Sequence, residues 1–335
     1  MTNKFSDLKN EPFRLKPAGI EKLWGGTRLN DDFSKDIDAE KIAETWECST
    51  HPDGQSIVGS GVNKGLTLSE VISKNPEILG EKLKELSDLP ILVKLIDAQQ
   101  NLSVQVHPND EQANKLENQK NGKMEFWYVL DAFKDSKLFF GLNHDLTTKQ
   151  LSASISDKSI EKYLQKIPVK KGDIFFINPG TIHAIGAGVL IAEIQQNSNI
   201  TYRLYDYERI DKNGCKRVLH LDKALKVANL NQSKNPKQPM RIIKYKMGCA
   251  SELLCRCQYF QVERLLINTE RTRILYETAS ASQSFEIYLC INGCGIIYYE
   301  PNHVIMFFKG DTIFVPANSV FFKIHGKAEF LKVSC

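Results

Sequence analysis

The chain has no apolar run long enough to span a bilayer, which excludes a helical membrane anchor. It also has almost no net charge. Its 44 Lys and Arg against 40 Asp and Glu leave +4, too slight and too scattered to recommend nucleic acid or a membrane surface as a partner. The opening MTNKFSDLKNEPF lacks the apolar segment of a secretion signal, so a cytoplasmic location is expected. None of the eight cysteines forms the CxxC spacing of a zinc knuckle. Cys255 and Cys257 would share one face of a strand, and Cys290 and Cys294 lie in another apolar, strand-like stretch. In a reducing compartment they read as small buried thiols without a function. Low-complexity tracts are absent too. What remains is an ordinary globular composition, 42% hydrophobic and 25% charged, in 335 residues that can bury a substantial core.

The pattern along the chain is mainly β. Residues 1–66 mix short strands with turns, punctuated by Trp24-Gly25-Gly26 and Pro52-Asp53-Gly54. Residues 67–86 and 147–166 each read as a pair of short helices, the first capped by Thr67 or Ser69. His220 to Leu230 carries a helical apolar period. The polar, two-proline stretch 229–240 marks a boundary, dividing the chain into domains at 1–235 and 236–335. Beyond it, strands of about six residues alternate with Asn-Gly and Lys-Gly turns, as in a second barrel. A faint repeat supports this, since KKGDIFFINPGTIH aligns with FKGDTIFVPANSVF. In the second copy Phe321 stands where the first has His183, so chemistry is expected in the first unit only, with Phe321 a core residue of the second.

Four residues in three strand-like segments suit a metal ion. Gln105 and His107 alternate in LSVQVHPND and so face the same space. Glu125 lies in GKMEFWYVL, and a Pro179-Gly180 turn delivers His183. Two imidazoles, one carboxylate and one amide oxygen fit a divalent ion of intermediate softness, with zinc the first choice. Each histidine alone reads as well as a hydrogen-bonded core residue; the conjunction favours a metal.

Seven ordered segments resemble one family: KLWGG, AETWECSTHPDGQSIV, LPILVKLIDAQQNLSVQVHPND, GKMEFWYVLDA, VKKGDIFFINPGTIHAIGAG, LIAEIQQNSNITYRLYDYERIDKNGCKRVLHL and GDTIFVPANSVFFKI. They are similar to the short bacterial form of type I mannose-6-phosphate isomerase, within the cupin superfamily. The resemblance implies two cupin-type jelly-roll barrels, with short helical insertions in and after the first, and one zinc ion per subunit held by Gln105, His107, Glu125 and His183. It implies an aldose–ketose isomerase that interconverts D-mannose 6-phosphate and D-fructose 6-phosphate by enediol-type proton transfer between C2 and C1. Arg203 matches the family's active-site arginine; read on charge alone, it would pair with Asp206. Lys123, two residues before Glu125, and Lys94 match substrate-pocket lysines, and Glu193 matches a pocket acid that could carry a proton. Trp24, Trp46 and Trp127 read as packing residues, although Trp24, beside two glycines, could sit at the cavity mouth. The implied partner is a small sugar phosphate, with neither nucleic acid nor membrane involved, and the implied state is a monomer or weak homodimer. Ala43, Met124, Phe126, Asn178 and Asn199 depart from the family pattern without removing a ligand or Arg203. An iron oxygenase, a sugar-binding regulator and a glucose 6-phosphate isomerase of related fold are the competing readings. Gln105 as a fourth ligand counts against the first, and the intact ligand set against the second.

Overall fold

The computed structural model describes residues 10–211, 213–271, 274–300 and 302–335. Its strands form three antiparallel sheets, each open in its hydrogen-bonded order. The six-stranded sheet runs Ile174–Ile177, Glu125–Ala132, Val189–Gln196, Ile91–Ala98, Glu44–Cys48, Ala18–Ile20. The five-stranded sheet runs Tyr202–Tyr205, Val104–Val106, His183–Ile185, Lys137–Leu142, Leu164–Pro168. They face one another across a core in which Ile96, Trp127, Val129 and Ile191 of the first meet Leu138 and Ile185 of the second. The chain is thus mainly β, as its pattern suggested.

Ile91–Ala98, at the centre of the six-stranded sheet, is buried at all eight positions. One face looks into the core between the sheets. The other, through Val93 and Leu95, packs on Leu68, Val71 and Ile72 of a short helix and on Phe285 and Phe314 of the C-terminal sheet. A strand covered on both faces needs apolar residues at nearly every position, which ILVKLIDA supplies apart from Lys94 and Asp97. The outer face of the five-stranded sheet is covered by helices, with Ala113, Leu151, Ile155, Ala224 and Val227 against Val104, Val106 and Leu204.

The helix starts follow side-chain caps. Thr67, Asn109 and Thr147 each make a reciprocal capping box with the residue three positions on, opening Leu68–Lys74, Asp110–Glu117 and Thr148–Ser156. The Asp110–Glu117 helix was not expected. Only the first member of each expected helix pair is α-helical. Pro76–Leu79 and Ile160–Lys162 are 3₁₀ turns, and the expected second helix of 147–166 gives way to the strand Leu164–Pro168. Edge pairing with Lys137–Leu142 outweighs the local helical period there. The helix expected over His220 to Leu230 is shorter than its pattern, Leu221–Val227.

The ten-stranded sheet centres on Phe322–Ser334 between Gln261–Asn268 and Glu286–Tyr299. It also takes in the start of the chain: Phe13–Lys16 pairs with Thr312–Val315, and Ile57–Val58 adds beside it. Two early strands, Phe13–Lys16 and Ile57–Val58, therefore belong to the sheet built mainly from residues beyond 235, while Ala18–Ile20 and Glu44–Cys48 stay in the six-stranded sheet. A buried pin joins the units: Glu47 accepts from Thr45 Oγ1 at 2.6 Å and from Thr312 Oγ1 at 2.8 Å, and pairs with Lys35 at 2.6 Å.

Phe321 corrects an expectation. It is 79% exposed, whereas Phe322 is fully buried against Tyr288. Asn318 turns the chain through a left-handed conformation (φ 52°), and the strand begins at Phe322 with that side chain inward. The side chain that aligns with His183 in the sequence thus points to solvent. Phe322→Ala is expected to cost about 3–5 kcal/mol by leaving a cavity, and Phe321→Ala no more than about 0.5 kcal/mol. Denaturant unfolding of the two variants measures this, and equal losses would contradict the burial pattern.

Candidate active site

Strand register builds the site. Gln105 lies opposite His183 on one side and opposite Arg203 on the other, so these three side chains share a face across three adjacent strands. On the facing sheet, Glu193 lies opposite both Lys94 and Trp127, and Lys94 lies opposite Trp46. Glu125, two residues before Trp127, shares that face. His107 follows Val104–Val106 at the Pro108 corner, where its carbonyl accepts from Gly180 N at 2.9 Å. That bond ties the turn before His183 to the segment carrying His107.

His107, Glu125 and His183 converge, fully buried, with one potential donor atom from each within 4.8 Å of the others. Each histidine anchors Nδ1 on a backbone carbonyl, His107 on Ile200 O and His183 on Thr181 O, both at 2.8 Å. Those bonds require the proton on Nδ1 and leave the Nε2 lone pair facing Glu125. His107 Nε2 is 3.2 Å from Glu125 Oε1 and His183 Nε2 is 3.6 Å from Oε2. Burial holds both imidazoles below their ordinary pKa, His107 to about 3 with the Lys123 charge adding to the effect. Burial opposes the Glu125 charge as well, but the Lys123 ammonium holds its carboxyl well below the usual range.

Neutral imidazoles and an ionised carboxylate are the forms that bind a metal ion. The two Glu125 oxygens and His183 Nε2 are buried without a hydrogen-bond partner. Lys123 Nζ lies 2.8 Å from Glu125 Oε1 as an ion pair off hydrogen-bonding geometry, and 3.4 Å from His107 Nε2. Its ammonium thus stands where a cation is wanted. These residues fit a divalent ion, and the Gln105 amide, on the row with His183, can supply a fourth donor.

Beside this cluster lies a cavity of about 370 Å³ whose lining includes Lys94, Gln105, Lys123, Glu193 and Arg203. The fold thus brings together every site residue read from the sequence. Trp24 lines this cavity, and the buried Trp46 and Trp127 contact its lining residues Lys94 and Glu193. Lys94 has its charge answered by Glu44 at 3.3 Å and Glu193 at 3.5 Å, and its ammonium lies over the Trp46 ring at 4.7 Å. Glu193 Oε2 accepts from Trp127 Nε1 at 2.8 Å. Burial, with the Glu125 charge adding and Lys94 opposing, raises the Glu193 carboxyl to about 7. Arg203 does not pair with Asp206, which Arg209 and Arg217 hold instead. Its Nη1 donates to Val218 O at 2.8 Å, and its Nε is buried without a partner.

Glu44, Arg217 and His220 also line the cavity and were not foreseen. A signal existed for Glu44: it alternates with Trp46 in ETWEC, so the two share a face, and Trp46 Nε1 donates to it at 2.9 Å. A larger cavity of about 670 Å³, between Tyr259 and Cys335, has no comparable set of converging groups. All eight cysteines are free.

Residues 12–139 match the family model for the type I phosphomannose isomerase catalytic domain. A mannose-6-phosphate isomerase of Bacillus subtilis is 38% identical over 328 residues, covering 96% of this chain and 98% of the relative. The crystal structure of mannose 6-phosphate isomerase from Bacillus subtilis superposes with a TM-score of 0.88 at 34% identity, over 97% of this chain and 99% of that one. A mutant phosphomannose isomerase from Salmonella typhimurium, 15% identical, shares the fold with a TM-score of 0.74, over 96% of this chain and 99% of that one.

His107→Ala or His183→Ala is expected to cut the bound divalent metal of the purified protein at least about tenfold, since each removes a direct ligand bond. Elemental analysis of folded variants measures this. Full metal occupancy in both would rule out the cluster as the site.

Proposed function

The chain belongs to the type I mannose-6-phosphate isomerase family, and on that premise we propose that its cavity interconverts D-mannose 6-phosphate and D-fructose 6-phosphate with one bound zinc ion per subunit. The observation that carries this reading is the convergence, with His107, of buried His183 and Glu125 atoms that lack hydrogen bonds, beside a cavity lined by Lys94, Lys123 and Arg203. Two imidazoles, a carboxylate and an amide are a ligand set zinc accepts. A pure binding protein has little use for such a set beside a buried acid whose pKa lies near neutrality. We place the enzyme in the cytoplasm, as a monomer or weak homodimer.

In the open-chain aldose, a base must take the C2 proton. The electron pair then forms the C1=C2 bond of an enediol, while the C1 oxygen gains a proton. The C2 hydroxyl next gives up its proton, C2 becomes the carbonyl, and a proton returns to C1. Glu193 is the group in this cavity suited to carry the proton. Raised to about 7, its carboxyl can both accept and release a proton near neutral pH. Trp127 fixes one oxygen, leaving the other beside Lys94. Zinc, when bound, would polarise the substrate's oxygens or a water. Lys123 presents an ammonium to sugar oxygens at the same end. Arg203, with no carboxylate partner and an unpaired Nε, can hold the negative charge that develops on the enediolate.

A coupled assay with mannose 6-phosphate is expected to show turnover that a chelator abolishes and zinc restores; turnover unaffected by thorough chelation would contradict the metal's role. Arg203→Lys keeps the charge but loses the planar fork. It is expected to lower kcat at least about a hundredfold, with a smaller change in KM and no loss of metal. Near-normal kcat, or loss of metal, would remove Arg203 from the chemistry.

A further inference from the structure

The segment Gly122-Lys123-Met124 leads into the strand Glu125–Ala132 without being part of it. Its three successive N–H groups are all committed to one neighbourhood. Gly122 N donates to Asp110 Oδ1 at 2.7 Å, Lys123 N to Pro108 O at 2.9 Å, and Met124 N to Gln196 Oε1 at 3.0 Å. Gln196 is buried, and its Nε2 donates to the same Asp110 oxygen at 2.9 Å. The other oxygen, Oδ2, accepts from the Tyr259 hydroxyl at 2.7 Å. Tyr259 belongs to the ten-stranded sheet, in the turn between Cys249–Arg256 and Gln261–Asn268, which Cys257 N closes on Phe260 O at 2.9 Å. One carboxylate thus gathers neutral donors from three separate parts of the chain.

These bonds act on the metal cluster. Asp110 lies three residues after His107, and Gly122 three before Glu125. The bonds from Gly122 and Lys123 therefore clip the corner carrying His107 to the segment carrying Glu125. A Cβ at Gly122 would fall 2.4 Å from Asn109 C and 2.6 Å from Asp110 N, so glycine alone permits this approach. Just beyond the clip, His107 Nε2 and Lys123 Nζ meet Glu125 Oε1, at 3.2 and 2.8 Å. Hydrogen bonds to an ionised acceptor are about twice as strong as neutral ones, which suits Asp110 to hold such a junction. A contact serving only to join the two units could end anywhere on the first. This one ends on the amide beside Lys123.

We propose that Asp110 is a positioning residue of the active site, and that Tyr259 of the C-terminal sheet holds its carboxylate in place. The unit that lends no group to the cavity would then still fix how His107, Lys123 and Glu125 meet. The proposal rests on the isomerase reading for turnover, but not for metal affinity. Partners that orient metal ligands at one remove typically carry about 10–100-fold in metal affinity or activity.

The test uses the full-length, zinc-loaded enzyme, with chelator competition for zinc affinity, mannose 6-phosphate for kinetics and denaturant unfolding for stability. Asp110→Ala is expected to weaken zinc about tenfold or more and to lower kcat by a similar factor, with a smaller change in KM. Asp110→Asn keeps an oxygen for Gly122 and Gln196 and can donate to the Tyr259 oxygen, so it is expected to restore both quantities to within about threefold of the unsubstituted enzyme. Tyr259→Phe removes one hydroxyl and is expected to shift both in the direction of Asp110→Ala, by about threefold. A simple join between the units gives a different split: stability falls while zinc affinity and kcat stay as they were. That result in Asp110→Ala overturns the proposal, and in Tyr259→Phe alone it removes the C-terminal sheet from the site. Equal losses in Asp110→Ala and Asp110→Asn overturn it too, because charge and not hydrogen-bond geometry would be responsible. Should Asp110→Ala not fold, Tyr259→Phe carries the test, and unchanged zinc affinity and kcat there overturn the proposal. Zinc affinity that follows these substitutions in a protein that does not isomerise the sugar sinks the isomerase reading alone. Isomerisation with zinc affinity and kcat unmoved by them sinks the positioning role alone.

Discussion

A carboxylate buried without a hydrogen bond is the constraint around which this site is arranged. Glu125 lies inside the core between two sheets, where an unpaired charge would cost several kcal/mol. The fold answers it with one ammonium, that of Lys123, and two imidazole lone-pair edges. Lone pairs facing a carboxylate repel it, so the arrangement is stable in itself only while a cation sits among these groups. The backbone bonds at Ile200 and Thr181 that fix the histidine tautomers therefore make sense as preparation for a metal ion.

The six-stranded sheet translates that local demand into architecture. Its central strand is sealed on both sides, one face by the catalytic core and the other by the Leu68–Lys74 helix and the C-terminal sheet. The C-terminal unit thus keeps water from the back of the strand carrying Lys94 while contributing no group to the cavity lining. Glu47, pinned by Lys35, Thr45 and Thr312, ties the units at the next strand.

Much of the site was legible because strand alternation is local. Gln105 with His107, and Lys123 with Glu125, could be placed on common faces from spacing alone, and the packing roles of Trp46 and Trp127 follow from strand context. What escaped depends on register between distant strands or on a turn. That Lys94 is held by Glu44 requires knowing that Glu44–Cys48 lies beside Ile91–Ala98. That Asp206 is held by Arg209, and not by Arg203, depends on a left-handed turn at Tyr207 and Glu208, which residue type does not announce. Phe321 shows the opposite hazard: the alignment put it in the core, and its neighbour Phe322 is the buried one. In 147–166 a helical period lost to edge pairing for the same reason, since propensity is weak beside tertiary contact.

The most direct measurement is anomalous diffraction at the zinc edge from crystals of the zinc-loaded enzyme. The account predicts one strong peak per chain, within about 2.0–2.2 Å of His107 Nε2, His183 Nε2, a Glu125 oxygen and the Gln105 amide oxygen, with the Lys123 ammonium displaced from Glu125. A peak elsewhere, or zinc-loaded protein in which Lys123 still holds Glu125 and both Nε2 atoms remain unligated, would contradict it.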